Sequence, residues 1–293
     1  MRLSQLPRCR FDFVLTLLVL CLSPSCAHAV PLQTVTYTSI PGIPQNQLAI
    51  DLYPCPTSAD ALVVYIHGGA WIAGDKKNVH SMPGFFLKNN ICFASANYPL
   101  RTIPGESLFD LQVDALSRLD NWLHLLHPQY FPTAANRNIS IIGHSAGAHL
   151  VALLDKRKGW SNDVKSIILM DSGAYDISAK YLESPPQYKD LMGQLLRLSD
   201  HHPDEYEQVF WAYSPALLHP KPRSSPLGVY LLAGQDKVSR SSALLLQKSY
   251  SLLPVYNAVV YAMPWRHADF PKRIGTDPVF SQKLLVKVLN KGR

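Results

Sequence analysis

The chain has 293 residues, 47% of them hydrophobic and 17% charged, with a formal net charge of +7. That length and balance fit one large globular domain with a sizeable core and exclude a disordered or low-complexity chain. The one short basic run, Lys156-Arg157-Lys158, has no interleaved aromatics, so the charge reads as a solvated surface, with no nucleic-acid partner expected.

The first 29 residues read as an export signal. Arg2, Arg8 and Arg10 precede Phe13–Leu22, a run that is apolar apart from Thr16, and Ala27-His28-Ala29 fits a signal-peptidase site. Ten helical residues span about 15 Å, half a bilayer core, so no stable membrane anchor is expected and the chain should be periplasmic or secreted. This segment holds three Arg, one Asp and three of the five Cys; without it the net charge is +5 and Cys55 and Cys92 remain. Such a pair in an exported protein could form one disulfide.

Strand-like and helix-like segments then alternate. Residues 35–40 and 48–53 are short and β-rich, and the turn Pro41-Gly42-Ile43-Pro44 between them suggests an antiparallel pair. Continuous apolar runs follow at 61–66, 91–98, 138–142, 164–170, 227–233 and 258–262, as expected of strands buried on both faces. Helical spacing marks 108–126, 146–154, 241–252 and 281–289. The alternation predicts a mostly parallel sheet with helices on both faces. Residues 177–225 break it. They are rich in proline, carry Tyr206, Phe210, Trp211 and Tyr213, and read as a cap-like insertion at the carboxyl edge of the sheet.

The strongest chemical signal is Gly143-His144-Ser145-Ala146-Gly147, set between the apolar run NISII and an Ala-rich helix. That strand–turn–helix setting is what a G-x-S-x-G nucleophile elbow needs. The turn is tight enough that only glycine fits at 143 and 147, and it lifts the Ser145 hydroxyl clear of the sheet. The helix starting at Ala146 aims its free amides at any charge formed there. The second signal is His67-Gly68-Gly69-Ala70-Trp71, directly after the run ALVVYI. Acyl transfer builds an oxyanion that needs preorganised donors, and Gly69, Ala70 and Ala146 are the expected amides.

A serine nucleophile needs a base and an acid to orient it. In an elbow of this kind the chain order is Ser, then acid, then His. Asp236, which follows a strand in LLAGQDK, is the expected acid, with Asp171 and Asp176 after the preceding strand as rivals. His267, on the loop after the last strand, is the expected base, since His201, His202 and His219 lie in the insertion. His144 and His149 flank the elbow and are expected to pack against it or line it. No H-E-x-x-H, paired C-x-x-C, G-x-G-x-x-G or P-loop occurs, so no metal or nucleotide cofactor is expected.

With these residues in place, HGGAW, GHSAGAHL, GQD and the late His267 resemble the α/β-hydrolase esterases related to hormone-sensitive lipase. The forms HGGAW and GHSAGAHL are most similar to its kynurenine formamidase and small carboxylesterase branch. The resemblance implies an eight-stranded α/β-hydrolase sheet, an oxyanion hole at Gly69 and Ala70, and a serine carboxylesterase; the aromatics of residues 206–213, with Trp71, suggest a modest apolar pocket for small or aromatic esters. It also implies that the second strand runs antiparallel beside the fourth, which would bring Cys55 near Cys92 as a disulfide. Relatives carry Arg after the tyrosine of Asn97-Tyr98-Pro99-Leu100, where this chain has Pro; Arg101 could stand in for it. An arylformamidase uses the same machinery on an N-formyl group, but an exported chain fits that role poorly. An exopeptidase would need a propeller domain absent from this sequence, and a non-catalytic binding protein on this fold would be expected to have lost a triad member.

Overall fold

A computed structural model of the chain describes residues 31–289 apart from 127, 128, 133, 134 and 136; the expected export signal lies outside them. Eight strands form one sheet: β1 (Gln33–Thr36), β2 (Ala49–Leu52), β3 (Leu62–Ile66), β4 (Cys92–Ala96), β5 (Ile139–His144), β6 (Val164–Met170), β7 (Leu227–Ala233) and β8 (Tyr256–Ala262). Their order is β1-β2-β4-β3-β5-β6-β7-β8. β1 and β2 pair antiparallel, β2 runs antiparallel to β4, and every later pairing is parallel.

The apolar runs divide their side chains between two cores, as the two-residue repeat of a strand requires. Leu62, Val64 and Ile66 face one core with Ile139, Ile141, Ile167 and Leu169, whereas Val63 and Tyr65 face the other with Ile142 and Ile168. The first core is closed by α2 (Leu108–Leu126) and α3 (Ala146–Arg157), with buried Leu116, Leu119, Leu150 and Leu153. The second is closed by α1 (Met82–Lys88) and the C-terminal Pro278–Val288 helix, with Phe86, Leu284 and Val288. The α1 helix has no sequence forecast. Its seven residues include Pro83 and Gly84, and its helicity rests on burying Met82 and Phe86.

Between β6 and β7 the chain forms α4 (Ile177–Glu183), α5 (Pro186–Leu195) and α6 (Tyr206–Ala212), and β7 leads into α7 (Lys237–Tyr250). Phe210 and Tyr213 belong to the first core, and Trp211 is half exposed. Tyr206, Phe210, Trp211 and Tyr213 do not line the cavity described below, whereas Trp71 and, from the same inserted segment, Tyr188 do.

Cys55 and Cys92 are joined by a disulfide, their Cα atoms 4.6 Å apart. The antiparallel run of β2 beside β4 brings them together, with the Tyr53 amide donating to the Phe93 carbonyl at 3.2 Å. A bond across a sequence separation of 37 removes chain entropy worth about 4 kcal/mol from the unfolded state.

One buried charge works against the fold. Lys156, on α3, is 2% exposed; its ammonium donates to Ser249 Oγ at 2.8 Å and lies 3.8 Å from the Tyr250 ring centre. Burial lowers its pKa to about 7, against the attraction of Asp155. The unfolded chain holds this proton up to about pH 10.5 and the folded chain releases it from about pH 7, so the group's contribution to stability rises with pH across that window. Lys156→Met should therefore raise stability in urea unfolding by roughly 1–3 kcal/mol at pH 6, with the gain vanishing by pH 10.5.

Candidate active site

The register of the sheet sets the site. β5 lies between β3 and β6, with Ile66 opposite Gly143 and His144 opposite Met170. The chain leaves β5 at Ser145 with φ 55° and ψ −119°, and α3 begins at the next residue. The Ser145 amide donates to the Met170 carbonyl at 2.9 Å, and the first turn of α3 closes with His149 donating to the Ser145 carbonyl at 3.1 Å. The amides of Ala146 and its neighbours precede that first helical bond and remain available. Gly143 packs on the Ala148 backbone. A Cβ at Gly147 would stand 2.3 Å from the Ile66 carbonyl oxygen, so no side chain fits between the elbow and β3.

Ser145 Oγ lies 2.8 Å from His267 Nε2, and His267 Nδ1 lies 2.8 Å from Asp171 Oδ2. The acid beside His267 is thus Asp171, and the expectation of Asp236 is corrected. Asp236 is exposed, and its Oδ2 accepts the Ser239 amide at 2.9 Å, so it caps the N-terminus of α7. Asp171 directly follows β6, the strand beside the elbow strand, whereas Asp236 follows β7, one strand further out. Asp176 likewise caps α4 through the Ala179 amide.

Asp171 is almost fully buried, and its Oδ1 accepts the Gly234 amide at 2.7 Å. Burial acts to raise its carboxyl pKa, but hydrogen bonds from His267, Gly234 and Ser239 and the pull of the His267 charge outweigh it and hold the group below its ordinary value. An ionised Asp171 accepts the Nδ1–H of His267, leaving the Nε2 lone pair turned to the Ser145 hydroxyl.

His267 reaches the site from the far side of the sheet because its loop is tied down. The Gln235 amide donates to the Trp265 carbonyl at 3.0 Å and Gln235 Nε2 to the Pro264 carbonyl at 2.9 Å. His144, inside the elbow motif, lies with Nε2 3.0 Å from the His267 carbonyl. Its pKa is lowered to about 4, first by burial and then by the neighbouring His267, so it is a neutral donor there.

The HGGAW loop runs along the other side of Ser145. A Cβ at Gly68 would sit 2.9 Å from Ser145 Cβ, so the loop lies directly on Ser145. The Gly69 carbonyl accepts the Ala73 amide at 2.9 Å, and Ala70 and Trp71 hold positive φ of 50° and 65°. Such strain needs support. The Trp71 indole donates to His149 Nδ1 at 3.1 Å, and Gln112 Nε2 donates to the Trp71 carbonyl at 2.7 Å. His149 Nε2 in turn lies 2.9 Å from the Tyr213 carbonyl. His149 therefore links α3, the HGGAW loop and the inserted segment, a role its sequence setting gives no hint of. His67 is buried under that loop, its ring stacked 4.5 Å from Tyr98, whose hydroxyl donates to the His67 carbonyl at 2.9 Å. Arg101 is exposed and does not line the cavity.

Ser145, His267, Gly69, Ala70 and Ala146 open onto one cavity of about 920 Å³. Among the described residues no cluster of three or more His, Cys, Asp or Glu could hold a metal ion, and no helix is long and apolar enough to cross a membrane.

The same architecture recurs in solved structures. Esterase B from Lactobacillus rhamnosis, inhibited by a tributyrin phosphonate, matches with a TM-score of 0.63 and 16% identity over 90% of this chain and 89% of its own. Esterase 2 from Thermogutta terrifontis matches with a TM-score of 0.58 and 15% identity over 90% and 96%. A hyperthermophilic esterase from the archaeon Pyrobaculum calidifontis matches with a TM-score of 0.57 and 19% identity over 83% and 81%.

The fold is that of the α/β-hydrolases. Residues 50–180, which carry both glycine motifs and Asp171, match the BD-FAE family model, in keeping with the likeness to esterases related to hormone-sensitive lipase. No curated protein matches the chain in sequence. At these identities the structural likeness carries the α/β-hydrolase fold and not a substrate.

The site histidines make an acid-stability prediction. Burial lowers His149 to about 4, against its hydrogen bond to Tyr213, and His144 is lowered to a similar value. Between about pH 6.5 and 4 the unfolded chain gains protons at these positions that the folded chain does not. Stability should therefore fall as the pH drops through that window, by up to about 3 kcal/mol for each group. Urea midpoints at pH 7 and pH 4.5 should show this fall, and His149→Gln should remove about half of it.

Proposed function

We propose that this α/β-hydrolase is a serine carboxylesterase that cleaves small or aromatic esters through an acyl-enzyme. One observation carries the reading: the unbroken relay from Ser145 Oγ through the His267 imidazole to the ionised Asp171, with 2.8 Å at each step. The esterase neighbours support it, and the inhibited Lactobacillus rhamnosis enzyme, which takes a tributyrin phosphonate, favours a small-molecule ester as the ligand.

In this reading the Ser145 oxygen attacks the ester carbonyl as His267 Nε2 takes its proton. Asp171 stabilises the imidazolium. The Gly69, Ala70 and Ala146 amides face the oxyanion. Collapse of the tetrahedral species expels the alcohol, which leaves with the proton from His267. Water then enters, gives its proton to the same nitrogen and attacks the acyl carbonyl, releasing the acid and restoring Ser145. The Cys55–Cys92 bond suits an oxidising compartment, in line with export.

Ser145→Ala should lower kcat on p-nitrophenyl acetate by about 10³-fold or more, and wild-type turnover by that variant would sink the proposal. The two aspartates should separate cleanly. Asp171→Asn should lower kcat by roughly 10⁴-fold while the protein stays folded. Asp236→Ala should keep kcat close to wild type and lose about 0.5–2 kcal/mol in urea unfolding, as expected of a lost helix cap.

A further inference from the structure

We propose that the cavity selects esters bearing a carboxylate away from the reacting carbonyl, and that Lys180 on α4 is the residue that receives it. This rests on the esterase reading above.

Lys180 lines the same cavity as Ser145 and is half-buried. Among the described residues its ammonium has no acidic partner. Its Nζ lies 5.3 Å from the Tyr188 ring centre, and that ring lies 6.5 Å from Trp71, the last residue of the HGGAW motif. A wall therefore runs from the proposed oxyanion amides over two aromatic rings to a cation. On the other side, a Cβ built at Gly173 would lie 3.7 Å from Lys180 Nζ, and Gly173 is two residues past Asp171. The ammonium thus sits against the loop that carries Asp171.

Neither carboxylate of the cavity wall, Asp171 or Asp236, forms an ion pair with it. Asp171 is bound to His267 and Gly234, and Asp236 caps α7. The Tyr188 hydroxyl is pushed up to about 12 by burial and stays a neutral phenol. A partly desolvated cation without a counter-ion is unfavourable, and a substrate that brings a carboxylate removes that penalty. Lys272, exposed on the cavity rim, adds a second positive charge with the same sign preference. The neighbouring aromatic rings suit an apolar spacer between ester and carboxylate.

The carboxylate could sit on the acyl or the alcohol side, and two substrate pairs distinguish these. The first is p-nitrophenyl hemiglutarate against p-nitrophenyl valerate; the second is 4-carboxyphenyl butyrate against phenyl butyrate. Wild-type enzyme should prefer the charged member of one pair by about tenfold in kcat/KM, the preference shrinking in 0.5 M NaCl. Lys180→Met should collapse that ratio through KM, and Lys180→Arg should keep most of it. No preference in either pair, or a ratio unchanged in Lys180→Met, would overturn the inference and leave the esterase reading standing. If the wild-type enzyme hydrolyses none of the four, the esterase reading fails first. The cation site is then judged on Ser145→Ala by thermal shift: monoethyl glutarate should stabilise it more than ethyl valerate, and loss of that difference in Ser145→Ala/Lys180→Met supports the site. An equal shift from both ligands refutes it.

Discussion

Ser145 is held at φ 55° and ψ −119°, a backbone conformation that an L-residue adopts only under compulsion, and the compulsion comes from both sides of the turn. β5 is fixed between β3 and β6, and α3 is packed against the end of β3 at Gly147. Neither can move without opening the sheet. The hydroxyl is thus placed by the rigid part of the molecule, and every other group at the site is positioned relative to it. A β-branched or even alanyl side chain at Gly147 would break this contact by colliding with the Ile66 carbonyl.

Around that fixed point, two neutral histidines act as spacers. His144 holds the backbone of His267, and His149 holds the indole of Trp71. Burial keeps both uncharged near neutrality, and that is what allows each to donate at one nitrogen and, in His149, to accept at the other. The positive φ of Ala70 and Trp71 is then balanced by the indole bond and by Gln112 on the Trp71 carbonyl. The nucleophile loop, the base loop and the HGGAW loop are three separate stretches of chain, and GHSAGAH supplies side chains that bind all of them together.

Much of this is legible in the residues alone. The strands read as continuous apolar runs because both faces are covered, and the two glycine motifs read because close backbone approach tolerates no other residue. The acid does not read correctly. Asp236 lies in a strand–loop–helix setting that fits a catalytic acid, but D-K-V-S is equally a helix N-cap, and capping is what the residue does. Asp171 differs from it in following the strand adjacent to the elbow strand, a fact of sheet order that no local pattern carries. The settings of His149 and Lys180 depend on the path of the inserted segment, whose Phe210 and Tyr213 are core. α1 escapes a reading by pattern because its proline and glycine hide a helix that tertiary burial supports.

The position of Asp171 also fixes what the acid contributes. The His267 loop is anchored by Gln235 on the Trp265 and Pro264 carbonyls and by His144 on the His267 carbonyl, none of which involves Asp171. The loop that carries His267 is therefore held beside Ser145 by hydrogen bonds to its own carbonyls. In the proposed mechanism, Asp171 orients the ring, chooses its tautomer and stabilises the charge that would arrive if His267 takes the serine proton. Its surroundings suit that role. The carboxylate is buried, so its field is little screened, and the Gly234 amide, on the oxygen turned away from His267, and the Ser239 hydrogen bond help keep it ionised. Loop placement thus rests on residues other than Asp171, which lets a carboxylate at the end of β6 meet a histidine on the loop after β8 although β7 lies between those strands.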